Sequence, residues 1–187
     1  MAHERPRCFV AIAIGEELRA ALSAALERDA RPADLRWTDP AGWHVTLAFL
    51  GSVEAGTVPE LIDRIASAAA RHVATRSSTG GFGAFPSPGR ARVAWYGVDD
   101  AEGRLARLAT DVAEALDLDA SRPFRPHITL GRARRQAVDL RPWLESASAP
   151  AGVLESDQIE LMRSHTGGGP ARYETLATIP LGVPADV

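Results

Sequence analysis

The chain has 187 residues, of which 45% are hydrophobic and 24% are charged, and its formal net charge is −3. These values are typical of one globular domain, or of two small lobes that share a core, and they exclude wholesale disorder and collagen-like or coiled-coil architectures. No apolar run approaches the roughly 20 residues of a membrane span, and segment 1–7 does not resemble a signal peptide, so we expect a cytoplasmic protein without a membrane partner.

The first half of the chain alternates strand and helix patterns. Runs rich in β-branched and aromatic residues predict strands over 7–14 and 43–50, with a short extended piece at 35–37 between them. Helical spacing of apolar residues predicts helices over 16–30 and 57–72. The predicted order of elements in this half is therefore strand, helix, short strand, strand and helix.

The second half repeats these patterns after a segment rich in Ser, Gly and Pro. Residues 75–90 predict an irregular strand at 81–85 within an exposed loop, which marks a boundary between two lobes of one domain spanning 1–187. The later elements comprise four strands, two helices and a glycine loop: strands 91–98, 127–134, 156–164 and 173–180, helices 101–116 and 140–146, and the loop 167–169.

An internal repeat relates the two halves. His44 lies 30 residues after Ile14, the end of one predicted strand, and His127 lies 29 residues after Val98, the end of another. Each histidine begins the same pattern, HVTL in the first half and HITL in the second. Two strand–helix–strand units with matched spacing predict two pseudo-symmetric lobes whose His-x-Thr segments face a shared cleft.

Strand alternation places the histidine and the threonine of each motif on one face. His44 and Thr46 would share a polar face, as would His127 and Thr129, while the intervening residues point into the core. Two imidazoles that titrate near neutral pH can act as general acid and general base, and two hydroxyls can donate to the anionic oxygens of a phosphodiester. A metal site is disfavoured because no acidic or histidine side chain stands at ligand spacing beside either motif.

The sequence resembles the 2H phosphoesterase superfamily, named for two His-x-Thr/Ser motifs, and within it the RNA 2′,3′-cyclic phosphodiesterases, historically called 2′-5′ RNA ligases. The resemblance runs from residue 7 to about 181 and rests on the segments RCFVAIAI, LRWTDPAGWHVTLAFLGSV, FGAFPSPGRARVAWYGV, RPFRPHITLGRAR and SHTGGGPARYETLATIPL. It implies an α+β fold with two pseudo-symmetric lobes, each an antiparallel sheet flanked by helices, around a central cleft.

The same resemblance implies metal-independent hydrolysis of an RNA 2′,3′-cyclic phosphate end to a 2′-phosphate, with no cofactor. It implies that His44 donates a proton to the departing 3′ oxygen, that His127 accepts the proton of water, and that Thr46 and Thr129 bind the phosphate. The residues alone leave the acid and base roles open, because the two motifs are chemically equivalent.

Further residues are candidates for substrate binding. Arg132 and Arg134 follow the second motif, but strict alternation puts both on the face opposite His127, so a bulge or a strand end is needed to turn either toward phosphate. Ser164 and Tyr173 match the late segment of the family and are expected to border the cleft. Trp43 and Phe49, two aromatic residues near the first motif, are interpreted as packing residues.

The basic residues have one unusual property, since all 21 are arginine. Schiff-base chemistry and a P-loop lysine are therefore excluded, and the single cysteine, Cys8, excludes an intramolecular disulfide and a cysteine-based metal site. The near-neutral net charge argues against gripping long duplexes. Six arginines nevertheless surround the second motif and predict a local basic patch: Arg122, Arg125, Arg132, Arg134, Arg135 and Arg141.

Other functions stay open at this point. The substrate is expected to be an RNA 3′ end or a cyclic nucleotide, with no obligate protein partner. Alternatives are a phosphodiesterase acting on a small cyclic nucleotide such as ADP-ribose 1″,2″-cyclic phosphate, or one acting on a 2′-5′ linked oligonucleotide. A non-catalytic RNA-end binder would not need two titrating imidazoles, and a structural module leaves the twin motifs unexplained.

Overall fold

The computed structural model describes residues 5–29, 31–165 and 171–182, which form nine β-strands and four α-helices. The strands are β1 (Arg7–Ala13), β2 (Leu35–Trp37), β3 (His44–Ser52), β4 (Thr75–Phe85), β5 (Val93–Val98), β6 (His127–Ala133), β7 (Gly152–Ser156), β8 (Gln158–His165) and β9 (Arg172–Pro180). The helices are α1 (Glu16–Arg28), α2 (Val58–Ala69), α3 (Arg104–Ala115) and α4 (Arg141–Ser146). None of the helices in these ranges is long and apolar enough to cross a bilayer. The predicted glycine loop at 167–169 lies outside the described residues.

All nine strands belong to one antiparallel sheet. Its order is β7-β4-β5-β6-β3-β1-β8-β9, with β2 pairing on β6 as a further strand. One half holds β7, β4, β5 and β6, and the other holds β3, β1, β8 and β9. The halves meet where Val45 of β3 pairs with Ile128 of β6. The predicted α+β fold with two antiparallel lobes is confirmed, and the two lobes share a continuous sheet.

The helices cover this sheet with the apolar faces that their spacing predicts. Helix α1 buries Leu18 and Leu22 and contacts β7, whereas α3 buries Leu105 and Val112 and contacts β3. Each of these helices therefore packs on a strand of the opposite half. One hydrophobic cluster consequently runs through both halves, so neither lobe has a core of its own.

The segment expected to be mostly loop is largely a strand. Strand β4 begins at Thr75 rather than near residue 81, and the irregular connection is limited to residues 86–92. Its polar sequence is held by pairing on both sides, with β5 and with β7. Thr79 is buried because its hydroxyl shares a hydrogen bond with the Tyr96 hydroxyl at 3.0 Å. The polar composition concealed this strand because its buried residues are Thr79, Gly83 and Ala84 rather than large aliphatic side chains.

Strand β7 also departs from the expectation of one strand over 156–164. Residues Gly152–Ser156 pair with β4, and a separate strand, β8, begins at Gln158. Of the five residues of β7, only Leu154 and Ser156 are buried. A segment with two inward positions is too short to show a periodic pattern.

Candidate active site

A cleft of about 1180 Å³ lies where the two halves of the sheet meet. Its wall includes residues of β1, β3 and β6, the β8–β9 hairpin, and the segment between α3 and β6. Both His-x-Thr motifs face this cleft, since His44, Thr46, His127 and Thr129 all line it. The intervening Val45 and Ile128 are 0% exposed, as the alternation of strand side chains requires.

Each imidazole is held by a backbone carbonyl two residues earlier in the chain. His44 Nδ1 lies 2.7 Å from the Gly42 carbonyl oxygen, and His127 Nδ1 lies 2.7 Å from the Arg125 carbonyl oxygen. Because a carbonyl only accepts, each Nδ1 carries the hydrogen and donates it. The Nε2 atom of both rings is therefore the one left for proton transfer.

Aromatic rings fix the orientation of both imidazoles. The His44 ring stacks on Phe9 at a centroid distance of 4.8 Å and meets Tyr173 edge-on at 5.2 Å. The His127 ring meets Phe85 edge-on at 5.0 Å. Neither Phe9 nor Phe85 was expected at the site, because both come from strands distant in sequence from the motif that they contact. No local pattern in the sequence signals such contacts.

The surroundings favour the neutral form of both histidines. Burial lowers the pKa of His44, while its hydrogen bond to the Gly42 carbonyl raises it, and the charges of Arg132 and His127 lower it further. Burial also lowers the pKa of His127, against the hydrogen bond to the Arg125 carbonyl, and the charge of Arg132 lowers it as well. Because a charged His127 opposes a second charge on His44, the pair binds one proton more readily than two.

A β-bulge turns Arg132 toward the cleft. In the pairing of β5 with β6, Trp95 faces Thr129 and Ala94 faces Gly131, so Leu130 is the extra residue. This bulge reverses the alternation after Leu130, and Arg132 lines the cleft. Arg132 therefore lies on the same face as His127, whereas strict alternation would place it on the opposite face.

The first motif contains the same bulge at the equivalent position. Strand β1 pairs Ala11 with Thr46 and Val10 with Ala48, which leaves Leu47 as the extra residue. The position equivalent to Arg132 is Phe49, which lines the cleft and is 67% exposed. The expectation that Phe49 is a packing residue is wrong, because the bulge places its ring on the open side of the strand.

A hydrogen-bonded chain joins the two motifs through Thr38. The Trp43 indole nitrogen, one residue before His44, donates to Thr38 Oγ1 at 2.9 Å. The Thr38 hydroxyl lies 2.9 Å from the carbonyl oxygens of both Thr129 and Leu130, at the bulge of the second motif. Trp43 is 3% exposed and is thus the packing residue that we expected. Sequence reasoning missed Thr38 because nothing local links it to residue 129.

The remaining candidates divide between the cleft and its surroundings. Ser164 and Tyr173 face each other across the β8–β9 pairing, and both line the cleft. Gly42 leaves room for the Tyr173 ring, since a Cβ atom at Gly42 would lie 2.9 Å from Tyr173 Cδ2. Arg134 is not among the described residues that line the cleft, because β6 ends at Ala133 and its alternation ends there.

The predicted basic patch is only partly at the cleft. Of its six arginines, three line the cleft: Arg122, Arg125 and Arg132. Arg141 instead pairs with Asp139, its Nε lying 3.0 Å from Oδ1. Two arginines outside the patch, Arg7 and Arg36, complete the cationic lining in the described part of the chain.

The sequence matches the model of the LigT-like phosphoesterase family over residues 13–95 and 97–171, and the chain belongs to that family. The resemblance read from the motifs is thereby confirmed. The RNA 2′,3′-cyclic phosphodiesterase of Geobacillus stearothermophilus is 34% identical over 184 residues, covering 95% of this chain and 58% of that protein, so the chain spans less than two thirds of that relative. The RNA 2′,3′-cyclic phosphodiesterase of Archaeoglobus fulgidus is 30% identical over 162 residues, covering 84% of this chain and 90% of that protein. The crystal structure of E. coli LigT complexed with 3′-AMP is similar, with a TM-score of 0.73 and 26% identity, and the match covers 95% of this chain and 99% of that chain.

Proposed function

We propose that this protein hydrolyses the 2′,3′-cyclic phosphate at an RNA 3′ end to a terminal 2′-phosphate, without a metal ion. The observation that carries the proposal is the pair of imidazoles in one cleft, each with Nδ1 bonded to a carbonyl and Nε2 left for proton transfer. The names of the curated relatives and the nucleotide bound to the LigT structure support the choice of substrate.

The reaction needs one proton removed and one proton delivered. We assign proton removal to His127, whose Nε2 takes a proton from water while the water oxygen bonds to phosphorus. The bond from phosphorus to the 3′ oxygen breaks, and His44 gives its Nε2 proton to that oxygen. The products are a 2′-phosphate and a 3′-hydroxyl, and the protein regains its starting state by moving one proton between the rings through solvent.

The other polar groups of the cleft would bind the charge on the phosphate. We propose that the hydroxyls of Thr46 and Thr129 donate hydrogen bonds to the two non-bridging oxygens. The Arg132 guanidinium would balance the negative charge that grows on these oxygens in the transition state. Tyr173 and Ser164, at the edge of the same cleft, would contact the nucleoside.

The first experiment tests the chemistry as a whole. An oligoribonucleotide ending in a 2′,3′-cyclic phosphate is incubated with the protein in the presence of EDTA, and the position of the product phosphate is determined. We expect a 2′-phosphate, and we expect His44→Ala and His127→Ala each to lower kcat by about 10²–10⁴-fold. Full activity in either variant would refute the acid–base pair, and loss of wild-type activity in EDTA would refute the metal-free reaction.

A second experiment separates the acid from the base. If the departing 3′ oxygen is replaced by sulfur, the leaving thiolate needs little protonation because a thiol is far more acidic than an alcohol. We expect the sulfur substrate to restore activity to His44→Ala and not to His127→Ala. Restoration of His127→Ala alone would reverse the two roles.

A further inference from the structure

Two arginines lie side by side at the rim of the cleft without a counter-ion. Arg36 of β2 is directly opposite Arg132 of β6 in the strand pairing, and both line the cleft. Neither forms an ion pair with an acidic side chain among residues 5–29, 31–165 and 171–182. Like charges directly opposite each other on neighbouring strands repel, and this repulsion is relieved when an anion lies between them.

Several arginines elsewhere in the described chain are paired with carboxylates. Arg64 contacts Asp117, Arg71 contacts Asp111 at 3.2 Å, and Arg76 contacts Glu155 at 3.4 Å. Arg36 and Arg132 instead have no carboxylate partner in the described part of the chain, and they line the same cleft as the two motif histidines. The pair is therefore a cation site that the protein itself does not neutralise.

The strand that carries Arg36 is firmly held. Leu35 is 1% exposed, and Trp37 meets Trp143 edge-on at a centroid distance of 5.5 Å. Leu35 is buried, Trp37 is partly buried, and the exposed Arg36 lines the cleft. Thr38, two residues after Arg36, donates its backbone N–H to the Leu130 carbonyl at 2.8 Å. Arg36 thus stands on a fixed backbone at a fixed position relative to Arg132.

We propose that Arg36 binds a second phosphate of the substrate, that of the nucleotide next to the cyclic end, while Arg132 beside it contacts the cyclic phosphate itself. Arg132 lies close enough for its charge to lower the pKa of both histidines, whereas Arg36 extends the positive charge one strand further from them. Guanidinium forks bind phosphate oxygens in pairs. The inference rests on the proposed function and makes an oligonucleotide, rather than a cyclic mononucleotide, the preferred substrate.

The test compares two substrates with the same cyclic end, one of which lacks the second phosphate. They are adenosine 2′,3′-cyclic phosphate and an oligoadenylate with the same cyclic end, used with the full chain. We expect Arg36→Gln to lower kcat/KM for the oligonucleotide about tenfold, mainly through KM. The mononucleotide value should change less than about twofold. The salt dependence of the oligonucleotide reaction should weaken by about 0.7 in log–log slope, the value for one phosphate contact on a single strand.

A matched control removes one exposed positive charge away from the cleft. Arg90→Gln makes the same change in net charge, and Arg90 is not among the described residues that line the cleft. We expect it to leave both substrates unaffected. Equal losses on the two substrates, no loss with Arg36→Gln, or the same selective loss with Arg90→Gln would each overturn the proposal.

A binding measurement separates this proposal from the proposed function. Fluorescence anisotropy gives the affinity for an oligoadenylate with a 2′-phosphate end, and competition gives that of adenosine 2′-phosphate. We expect Arg36→Gln to weaken only the oligonucleotide. If the wild type hydrolyses neither cyclic substrate, the proposed function fails, and this assay still decides the role of Arg36. Unchanged oligonucleotide affinity in Arg36→Gln would then overturn the second-phosphate site.

Discussion

Replacing Thr38 by valine tests the hydrogen-bonded chain that joins the two motifs. Valine keeps the shape of threonine but removes the hydroxyl that accepts from Trp43 Nε1 at 2.9 Å. Trp43 is 3% exposed, so its indole N–H would be left buried without an acceptor. Such a group costs about 1–3 kcal/mol, and we expect Thr38→Val to lower the free energy of unfolding by about 2 kcal/mol. For a chain of this size that corresponds to a fall in Tm of about 4–8 °C.

The same substitution should also affect the reaction. The Thr38 hydroxyl lies 2.9 Å from the Thr129 and Leu130 carbonyl oxygens at the bulge that turns Arg132 toward the cleft. We expect Thr38→Val to lower kcat/KM on the cyclic phosphate about tenfold at a temperature where the variant is fully folded. Thr38→Ser keeps the hydroxyl and should retain both stability and activity. Urea unfolding and steady-state kinetics measure the two effects. Wild-type stability in Thr38→Val, or equal losses in Thr38→Ser, would refute this role.

Three further substitutions or conditions probe the surroundings of the imidazoles. Arg132→Gln should raise the pKa of both His44 and His127, because the charge of Arg132 lowers these pKa values, and NMR titration of the ring protons checks this shift. Both folded pKa values lie below the unfolded value of about 6.5, so the unfolded chain binds protons first as the pH falls. Urea unfolding at several pH values should therefore show stability decreasing below about pH 6.5 and no contribution from these groups well above it. Gly42→Ala should displace the Tyr173 ring from His44, because its Cβ would lie 2.9 Å from Cδ2. It should lower kcat/KM, whereas Gly56→Ala, with no atom within 4 Å of its Cβ, should not.

The sequence was sufficient to predict the groups that face the cleft within one strand. Alternation over three residues decides that His44 and Thr46 share a face, and the structure places both at the cleft. Alternation predicts the wrong face for Arg132, because Leu130 is an extra residue that moves the following side chains to the opposite face of the strand. A bulge is set by how two strands align over their whole length. The residues around one motif therefore could not reveal it.

Contacts between distant strands were equally inaccessible. Phe85 meets His127 edge-on, although more than 40 residues separate them, and Thr38 reaches the carbonyl of Thr129 across 91 residues. The internal repeat predicts that two motifs face each other, but it says nothing of the side chains between them. Those side chains are determined by sheet order, which follows from packing over the whole chain.

The two halves are most alike at the motifs and differ just beyond them. Equivalent bulges at Leu47 and Leu130 turn the residues two positions later to the cleft. These residues are Phe49, an apolar ring, and Arg132, a cation. A nucleotide cannot present its phosphate and its base equally well in both directions along such a cleft, because phosphate is attracted to only one of these side chains. An acid and a base need distinct positions relative to the leaving oxygen. The asymmetry that would separate the proposed acid and base roles therefore resides in the flanking residues, because the His-x-Thr motifs themselves are equivalent.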